Sequence, residues 1–264
     1  MPSFCQITPT ALLRLIGTPD APIILDVRLD EDREADPFSI PTAQALDYRS
    51  VASFGPTERR VVVVCHKGLK LSEGAAALLR SRGIAAEGLE GGHVAWRNEG
   101  LPVVPDALVA KSNLWVTRHR PKIDRIACPW LIRRFIAPDA RFLFVAPSQV
   151  LAVAERFSAV SFDIEGADYT HAADQCTFDA LLTAYSLDFP ALKRVADVVR
   201  AADTDRHDLS PQAAGLLAVS VGLSRMFKDD LAQLDAGMTL YDALYRWARD
   251  GYEEGHDWPQ GRAQ

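Results

Sequence analysis

The chain has little of what marks several large classes of protein. Its 264 residues include only four cysteines, scattered without a Cys-x-x-Cys pair. This usage is not a disulfide framework and lacks the spacing of a structural zinc site. No apolar run approaches the roughly 20 residues that a membrane helix needs. The N-terminus also lacks the basic and apolar stretches of a secretion signal. These absences predict a cytoplasmic protein with no membrane partner.

An excess of positive charge is also missing. The chain has 29 lysines and arginines against 35 aspartates and glutamates, a formal net charge of −6. Overall charge therefore does not draw it to nucleic acid, although a local basic patch could still do so. Hydrophobic residues make up 48% and charged residues 24%, the profile of a globular protein with a core. The length favours two domains over one.

The first part of the chain, residues 1–105, alternates strand and helix signals. The apolar runs at residues 23–27 and 61–64 are typical of central strands in a parallel sheet that is covered on both faces. Thr8 with Pro9 is expected to cap one helix, and Ser72 to cap another. This rhythm predicts a small α/β domain with a parallel sheet.

The second part is predicted to span residues 112–264 after a proline-containing linker at 101–112. Strand signals come first, and from Thr177 onwards the chain is mainly helical. Thr239 and Asp242 have the spacing of a capping box at a helix start. The second domain is therefore predicted to be α+β and mainly helical.

Cys65 ends a run of four valines and is followed by a short turn and a helix. Gly68 gives this turn backbone freedom, its amides can converge on the sulfur, and the helix directs its positive end to the same point. His66, Lys67 and Lys70 add positive charge, which favours thiolate over thiol. The pattern predicts a nucleophilic cysteine; the alternative is an inert thiol that ends a core strand.

This region resembles the rhodanese domain. The resemblance rests on LDVR at residues 25–28, on Cys65 with Gly68 and Ser72, and on GGHVAW at residues 91–96. It implies a thiosulfate-type sulfurtransferase in which Cys65 takes a sulfane sulfur, holds it as a persulfide and passes it to a thiol acceptor. Lys70 would stand where the family often has arginine, and Asp26 and Arg28 would brace the site. The substrate would contact the loop residues His66, Lys67, Gly68 and Leu69.

A second candidate site lies in residues 115–134, where seven basic residues are opposed by a single acidic one. Pro129 predicts a kinked helix or a helix start, which would put Cys128 near a helix N-terminus and favour its thiolate. The predicted oxyanion site consists of Arg118, Lys122, Arg125 and Cys128. The alternative is a solvated basic face that balances an acidic partner.

That acidic partner is residues 162–179, which contain no lysine or arginine. Glu165, His171 and Cys176 offer oxygen, nitrogen and sulfur ligands for a divalent metal. Further on, Asp203, Asp205 and His207 add more such groups. The alternative is a network of salt bridges without metal. A divalent metal here is the one candidate cofactor of the chain.

The segments WVTRHRPKIDRIACPWLIRRFI and FDIEGADYTHAADQCTFD resemble the C-terminal domain of chromate-resistance protein B, over about residues 112–258. Members of that family are linked to chromate resistance, and some are described as chromate-responsive regulators. The combined expectation is a sulfurtransferase-like protein with a Cys65 persulfide, coupled to an oxyanion-binding domain. Its substrate would be a small anion or a sulfane-sulfur donor. The alternative is a chromate- or oxyanion-responsive regulator without sulfur-transfer turnover.

Overall fold

The structure is a computed structural model that describes residues 5–109 and 112–255. In these two stretches, no helix has both the length and the apolar character needed to cross a membrane. The strands are β1 (Gln6–Ile7), β2 (Ile23–Asp26), β3 (Phe38–Ser39), β4 (Gln44–Ala45), β5 (Val61–Val64), β6 (Ala86–Leu89), β7 (Val104–Pro105), β8 (Leu114–Arg118), β9 (Arg141–Val145) and β10 (Val160–Ser161).

The α-helices are α1 (Pro9–Leu15), α2 (Asp30–Ala35), α3 (Lys70–Ser81), α4 (Gly92–Asn98), α5 (Asp106–Val109), α6 (Asp124–Leu131), α7 (Val150–Phe157), α8 (Thr177–Ala184), α9 (Pro190–Asp203), α10 (Ala213–Met226) and α11 (Asp230–Asp250). Two 3₁₀ turns, Tyr48–Ser53 and Pro147–Gln149, and a π-helical turn, Ile132–Ile136, complete the set.

The N-terminal part is built on a parallel five-stranded sheet with the order β1-β6-β5-β2-β4. All four valines of β5 are buried, because side chains alternate between two covered faces. Val61 and Val63 join an apolar cluster that α3 closes with Ala76 and Leu79. Val62 and Val64 point into the larger core cluster on the other face.

The C-terminal part begins with a second parallel sheet, of order β10-β8-β9. Helices α6 and α7 connect its strands, and α8 to α11 follow. Trp130 on α6 is fully buried between Phe178 of α8 and the tyrosines 241 and 245 of α11. The predicted fold class is confirmed: a parallel-sheet α/β domain followed by an α+β, mainly helical one.

Buried residues of the two parts belong to one continuous apolar cluster. Leu12 and Ile16 of the N-terminal part belong to the same buried cluster as Trp130 and Phe135. Gly17 makes this approach close: a Cβ built there would lie 2.3 Å from Cζ of Phe135. The domain boundary near residue 105 stays a prediction.

Two local expectations, the linker and the capping box, are corrected by the structure. The predicted linker contains β7 and α5, because Val104 pairs with Ser39 in a small antiparallel sheet. Thr239 and Asp242 lie inside α11, whose N-cap is Asp229. Asp242 instead accepts hydrogen bonds from Trp130 Nε1 and from Arg134.

Pro129 neither starts nor ends a helix. It lies inside α6, which begins five residues earlier at Asp124. Proline removes one backbone hydrogen bond from such a helix, and the next residues, from Ile132, continue as a π-helical turn. Cys128 therefore lies in the helix body and not at its N-terminus.

Candidate functional site

Cys65 directly follows β5, and α3 begins five residues later at Lys70. The loop between them packs against the turn that starts α4. The carbonyl of Cys65 accepts a hydrogen bond from the amide of His93 at 2.9 Å, and the carbonyl of His66 accepts one from Val94 at 3.0 Å. Gly92 has φ +62°, and a Cβ there would lie 2.3 Å from the Cys65 carbonyl oxygen. Only glycine allows the two turns to approach so closely.

Cys65, at the start of this loop, is buried, with only 4% of the residue exposed to solvent. Its polar neighbour is Ser72, whose Oγ is 3.2 Å from the Cys65 Sγ and also donates to the carbonyl of Leu69. Ser72 was expected to cap α3; the N-cap is Leu69, and Ser72 lies within the first turn. The serine hydroxyl therefore faces the sulfur.

The main-chain amides of residues 66–71 have no hydrogen-bond partner among the described residues. Residues 66–69 connect Cys65 to α3, and residues 70 and 71 belong to its first turn, where the helix dipole adds partial positive charge. A loop of unpaired amides ahead of a helix is a ready-made site for an anion. The loop beside Cys65 is therefore a candidate site for a small anion.

The charged loop residues lie on the rim of the site. Lys67 and Lys70 are exposed, as is Leu69. His66 is partly buried, with its Nδ1 3.8 Å from Asp32. Their roles in catalysis and substrate binding stay predictions.

Asp26 and Arg28 form a buried ion pair at 2.7 Å at the end of β2, the strand next to β5. Arg28 also donates to the carbonyl of Phe38 at 2.9 Å and to Ser39 Oγ at 3.2 Å. These bonds occupy the guanidinium group. The pair lies on the strand next to β5, and its bracing role at the cysteine site stays a prediction.

A second set of charged groups converges in the C-terminal part. The Nε2 of His171 lies 3.2 Å from Asp203 Oδ2, 3.3 Å from Asp163 Oδ1 and 3.5 Å from Asp124 Oδ2. The four residues come from separate segments of the chain. Asp124 starts α6, Asp163 lies two residues after β10, His171 lies in the loop before α8, and Asp203 ends α9. This set is called the acid–imidazole cluster below.

Burial and mutual repulsion control the charge of this cluster. Burial, with the nearby Asp124 and Asp163 carboxylates, raises the pKa of Asp203 to about 7. The hydrogen bond to Asp124 raises the pKa of His171 to about 9. Burial also raises the pKa of Asp124. Three carboxylates this close repel one another, which favours a proton on one of them or positive charge between them.

The residues of the predicted oxyanion site have different surroundings in the structure, and oxyanion binding stays a prediction. Arg118 and Arg125 each contact Asp163 Oδ2 through one nitrogen, at 2.9 and 3.1 Å, so both guanidinium groups already face a carboxylate. Lys122 has no ion-pair partner in the described part of the chain. The acidic stretch does balance the basic one, as the alternative interpretation stated.

Cys128 also departs from its predicted role. It is fully buried, and burial together with the Asp124 carboxylate raises the pKa of its thiol well above the ordinary value. Desolvation and a nearby negative charge both favour the neutral thiol. Cys128 is therefore a core residue under the acid–imidazole cluster, not an activated thiolate.

Of the three predicted metal ligands, the structure brings only His171 into a cluster. Glu165 is exposed, and Cys176 is buried with its thiol 3.4 Å from Asp179 Oδ2. Burial raises the pKa of the Cys176 thiol, with the Asp124 carboxylate as the next cause. Three aspartates surround His171. Asp203 was among the further candidate ligands and Asp163 belongs to the acidic stretch, whereas Asp124 was not expected there.

Comparison with known proteins identifies the second part of the chain. The family model described as "ChrB, C-terminal domain" matches residues 115–248, which is half of the chain. The chain belongs to this family. A curated relative, Protein ChrB of Cupriavidus metallidurans, is 36% identical over 132 residues, which cover 50% of this chain and 39% of that protein. The chain thus spans about two fifths of the length of this ChrB relative.

Solved structures with rhodanese descriptions are similar to the N-terminal part of this ChrB-family chain. A rhodanese-related protein from Thermoplasma volcanium is 24% identical with a TM-score of 0.34, covering 38% of this chain and 98% of that one. A rhodanese-like domain protein from Staphylococcus aureus is 30% identical with a TM-score of 0.30, covering 35% of this chain and 91% of that one.

Proposed function

We propose that this ChrB-family chain is a sulfurtransferase-like protein of chromate resistance, in which Cys65 carries a sulfane sulfur as a persulfide. The observation that supports this most directly is the position of Cys65. It ends a buried strand, its sulfur faces Ser72 Oγ at 3.2 Å, and the amides of residues 66–71 have no hydrogen-bond partner in the described stretches. An anionic sulfur is stabilised by such a loop.

The chemistry balances with thiosulfate as donor. The Cys65 thiolate attacks the outer sulfur of thiosulfate, an S–S bond forms to Cys65, and the S–S bond of thiosulfate breaks with release of sulfite. Cyanide or a thiol acceptor then takes the outer sulfur, which gives thiocyanate or a persulfide of the acceptor and restores the thiolate. The loop amides stabilise the negative charge on the sulfur in each state.

A small cavity, with both basic and acidic residues in its lining, lies at the edge of the sheet where β2 and β4 end. It has a volume of about 230 Å³ and is lined by the residues that follow β2 and β4, among them Arg33 and Arg49. The ends of β2 and β5 are neighbours in the sheet. Because carboxyl ends of parallel strands share one edge, the cavity and the Cys65 loop open on the same side of the domain.

Thiosulfate and cyanide test this proposal on the full chain. Wild type should gain one sulfur by mass after incubation with thiosulfate, and it should release thiocyanate when cyanide is added. Cys65→Ser should lose both, at least a hundredfold in rate. Cys5→Ser, which changes the exposed cysteine, is the matched control and should behave as wild type.

Two results would overturn the proposal: no added sulfur on wild type, or equal addition to Cys65→Ser. A protein without turnover that shifts an operator DNA fragment only when chromate is present would instead be a regulator. Sulfur transfer and DNA binding are measured in separate assays, so the result of one does not affect the interpretation of the other.

A further inference from the structure

One nitrogen in the acid–imidazole cluster faces three carboxylate oxygens at once. His171 Nε2 lies between 3.2 and 3.5 Å from an oxygen of Asp203, Asp163 and Asp124. A single N–H can direct its proton well at only one of these acceptors. The convergence is therefore more than one imidazole needs for hydrogen bonding.

The spacing matches that of ligand atoms around a cation. Atoms bound to one ion at about 2.1 Å lie about 3.0 Å apart along an octahedral edge and about 3.4 Å apart along a tetrahedral edge. The three distances from Nε2 fall in or next to this range. One ligand atom from each of Asp124, Asp163 and His171 can lie within 4.8 Å of all the others.

A buried oxygen in the cluster also lacks a partner. Asp124 is 1% exposed, and its Oδ1 is buried without a hydrogen bond, while Oδ2 accepts from the amide of Thr177 at 2.6 Å. Leaving a buried carboxylate oxygen unpaired costs about 1–3 kcal/mol. A salt-bridge network alone does not explain why this buried carboxylate keeps one oxygen unpaired, while its other oxygen faces His171.

We propose that Asp124, Asp163 and His171 form a binding site for a divalent first-row cation, with Asp203 as the carboxylate that completes it. Carboxylate oxygens suit Mn²⁺, and the imidazole favours a transition metal over Mg²⁺ or Ca²⁺. Arg118 and Arg125 contact the other oxygen of Asp163, so they orient this ligand and leave its Oδ1 toward the site.

The site has a route to solvent. The side chain of His171 is 40% exposed, while Asp124 and Asp163 are buried beneath it. A cation can enter past the imidazole and meet the carboxylates below. The exposed side also leaves room for water or a further small ligand on the ion.

Titration of the full chain with Mn²⁺ tests this site. After dialysis against a chelator, wild type should bind one equivalent of Mn²⁺, measured by calorimetry and by loss of the free-ion electron paramagnetic resonance signal. His171→Gln should weaken binding about tenfold or more, because it removes one ligand. Asp203→Asn, at a less buried position, should also weaken it and serves as a second variant with a smaller risk to folding.

The matched control is His207→Gln, which changes a partly exposed histidine paired with Asp205 at 3.2 Å. It should bind Mn²⁺ as wild type does. Zn²⁺ should compete for the same equivalent, whereas Mg²⁺ in tenfold excess should not. The inference is overturned if neither Mn²⁺ nor Zn²⁺ binds stoichiometrically, or if folded His171→Gln and Asp203→Asn bind as tightly as wild type. Circular dichroism establishes that each variant is folded.

Discussion

The Cys65 loop and the acid–imidazole cluster are built in opposite ways. The first consists of consecutive residues between one strand and one helix, with Ser72 only seven positions from the cysteine. The second brings together four short segments that are up to 79 positions apart, from Asp124 to Asp203. The difference teaches that local backbone geometry creates the first site, whereas tertiary packing creates the second.

The largest effect is expected where the Cys65 loop meets the turn of α4. Gly92→Ala places a Cβ 2.3 Å from the Cys65 carbonyl oxygen at a φ of +62°. We expect a loss of about 3 kcal/mol or more in the free energy of unfolding and a strong loss of thiocyanate formation. Urea unfolding and the cyanide assay measure the two effects.

The control for this change is Gly74→Ala in α3, where no atom lies within 4 Å of the added Cβ. Alanine is the better helix former by about 0.5–1 kcal/mol, so this variant should be slightly more stable and keep its activity. Equal behaviour of the two variants would mean that the contact between the turns does not form the loop.

The acid–imidazole cluster should instead respond as a network. In chelator, His171→Gln removes the positive charge between three carboxylates, and Asp124→Asn removes one of those carboxylates. The loss in free energy of unfolding caused by each substitution depends on whether the other is present. We therefore expect a coupling energy of about 1–3 kcal/mol in a double-mutant cycle. Urea unfolding of the four proteins measures it, and purely additive changes would contradict the network.

Substitution of Ser72 tests whether its hydroxyl acts on the Cys65 sulfur or only stabilises the start of α3. Ser72→Ala removes the hydroxyl 3.2 Å from Cys65 Sγ, and we expect a three- to tenfold slower formation of thiocyanate with about 1 kcal/mol lower stability. Ser81→Ala removes a similar bond, from Ser81 Oγ to the carbonyl of Leu78, and should leave the rate unchanged. Equal rates for both variants would exclude a role of Ser72 at the sulfur.

The smallest effect concerns His93, which is buried beside the loop with its Nε2 3.1 Å from Asp36. Burial, followed by the charge of Arg28, lowers the pKa of His93 from its usual 6.5. The unfolded chain then binds a proton that the folded chain excludes, so stability falls as the pH drops below about 6.5. His93→Gln should reduce this fall between pH 7 and 5; an unchanged pH profile of the urea midpoint would contradict it.

More of the Cys65 loop than of the acid–imidazole cluster could be predicted from the sequence. The valine strand, Cys65 and Gly68 are close together along the chain. The local geometry of the loop therefore follows from the order of these residues. The contact of the Ser72 hydroxyl with the Cys65 sulfur was missed, because a serine near a helix start is more often a helix cap. His171 was identified, but Asp124 lies in a basic stretch and Asp203 on a distant helix. Only packing of α6 and α9 brings these carboxylates to the imidazole.

The continuous apolar interior has a consequence for how the protein can be divided. Gly17 admits the ring of Phe135 against the N-terminal backbone, and Arg249 donates to the carbonyl of Arg14 at 2.8 Å. Cutting between the two parts would expose α1 and the rings of Phe135 and Tyr245 to water. We therefore expect either half, expressed alone, to expose these apolar groups and to aggregate more readily than the full chain.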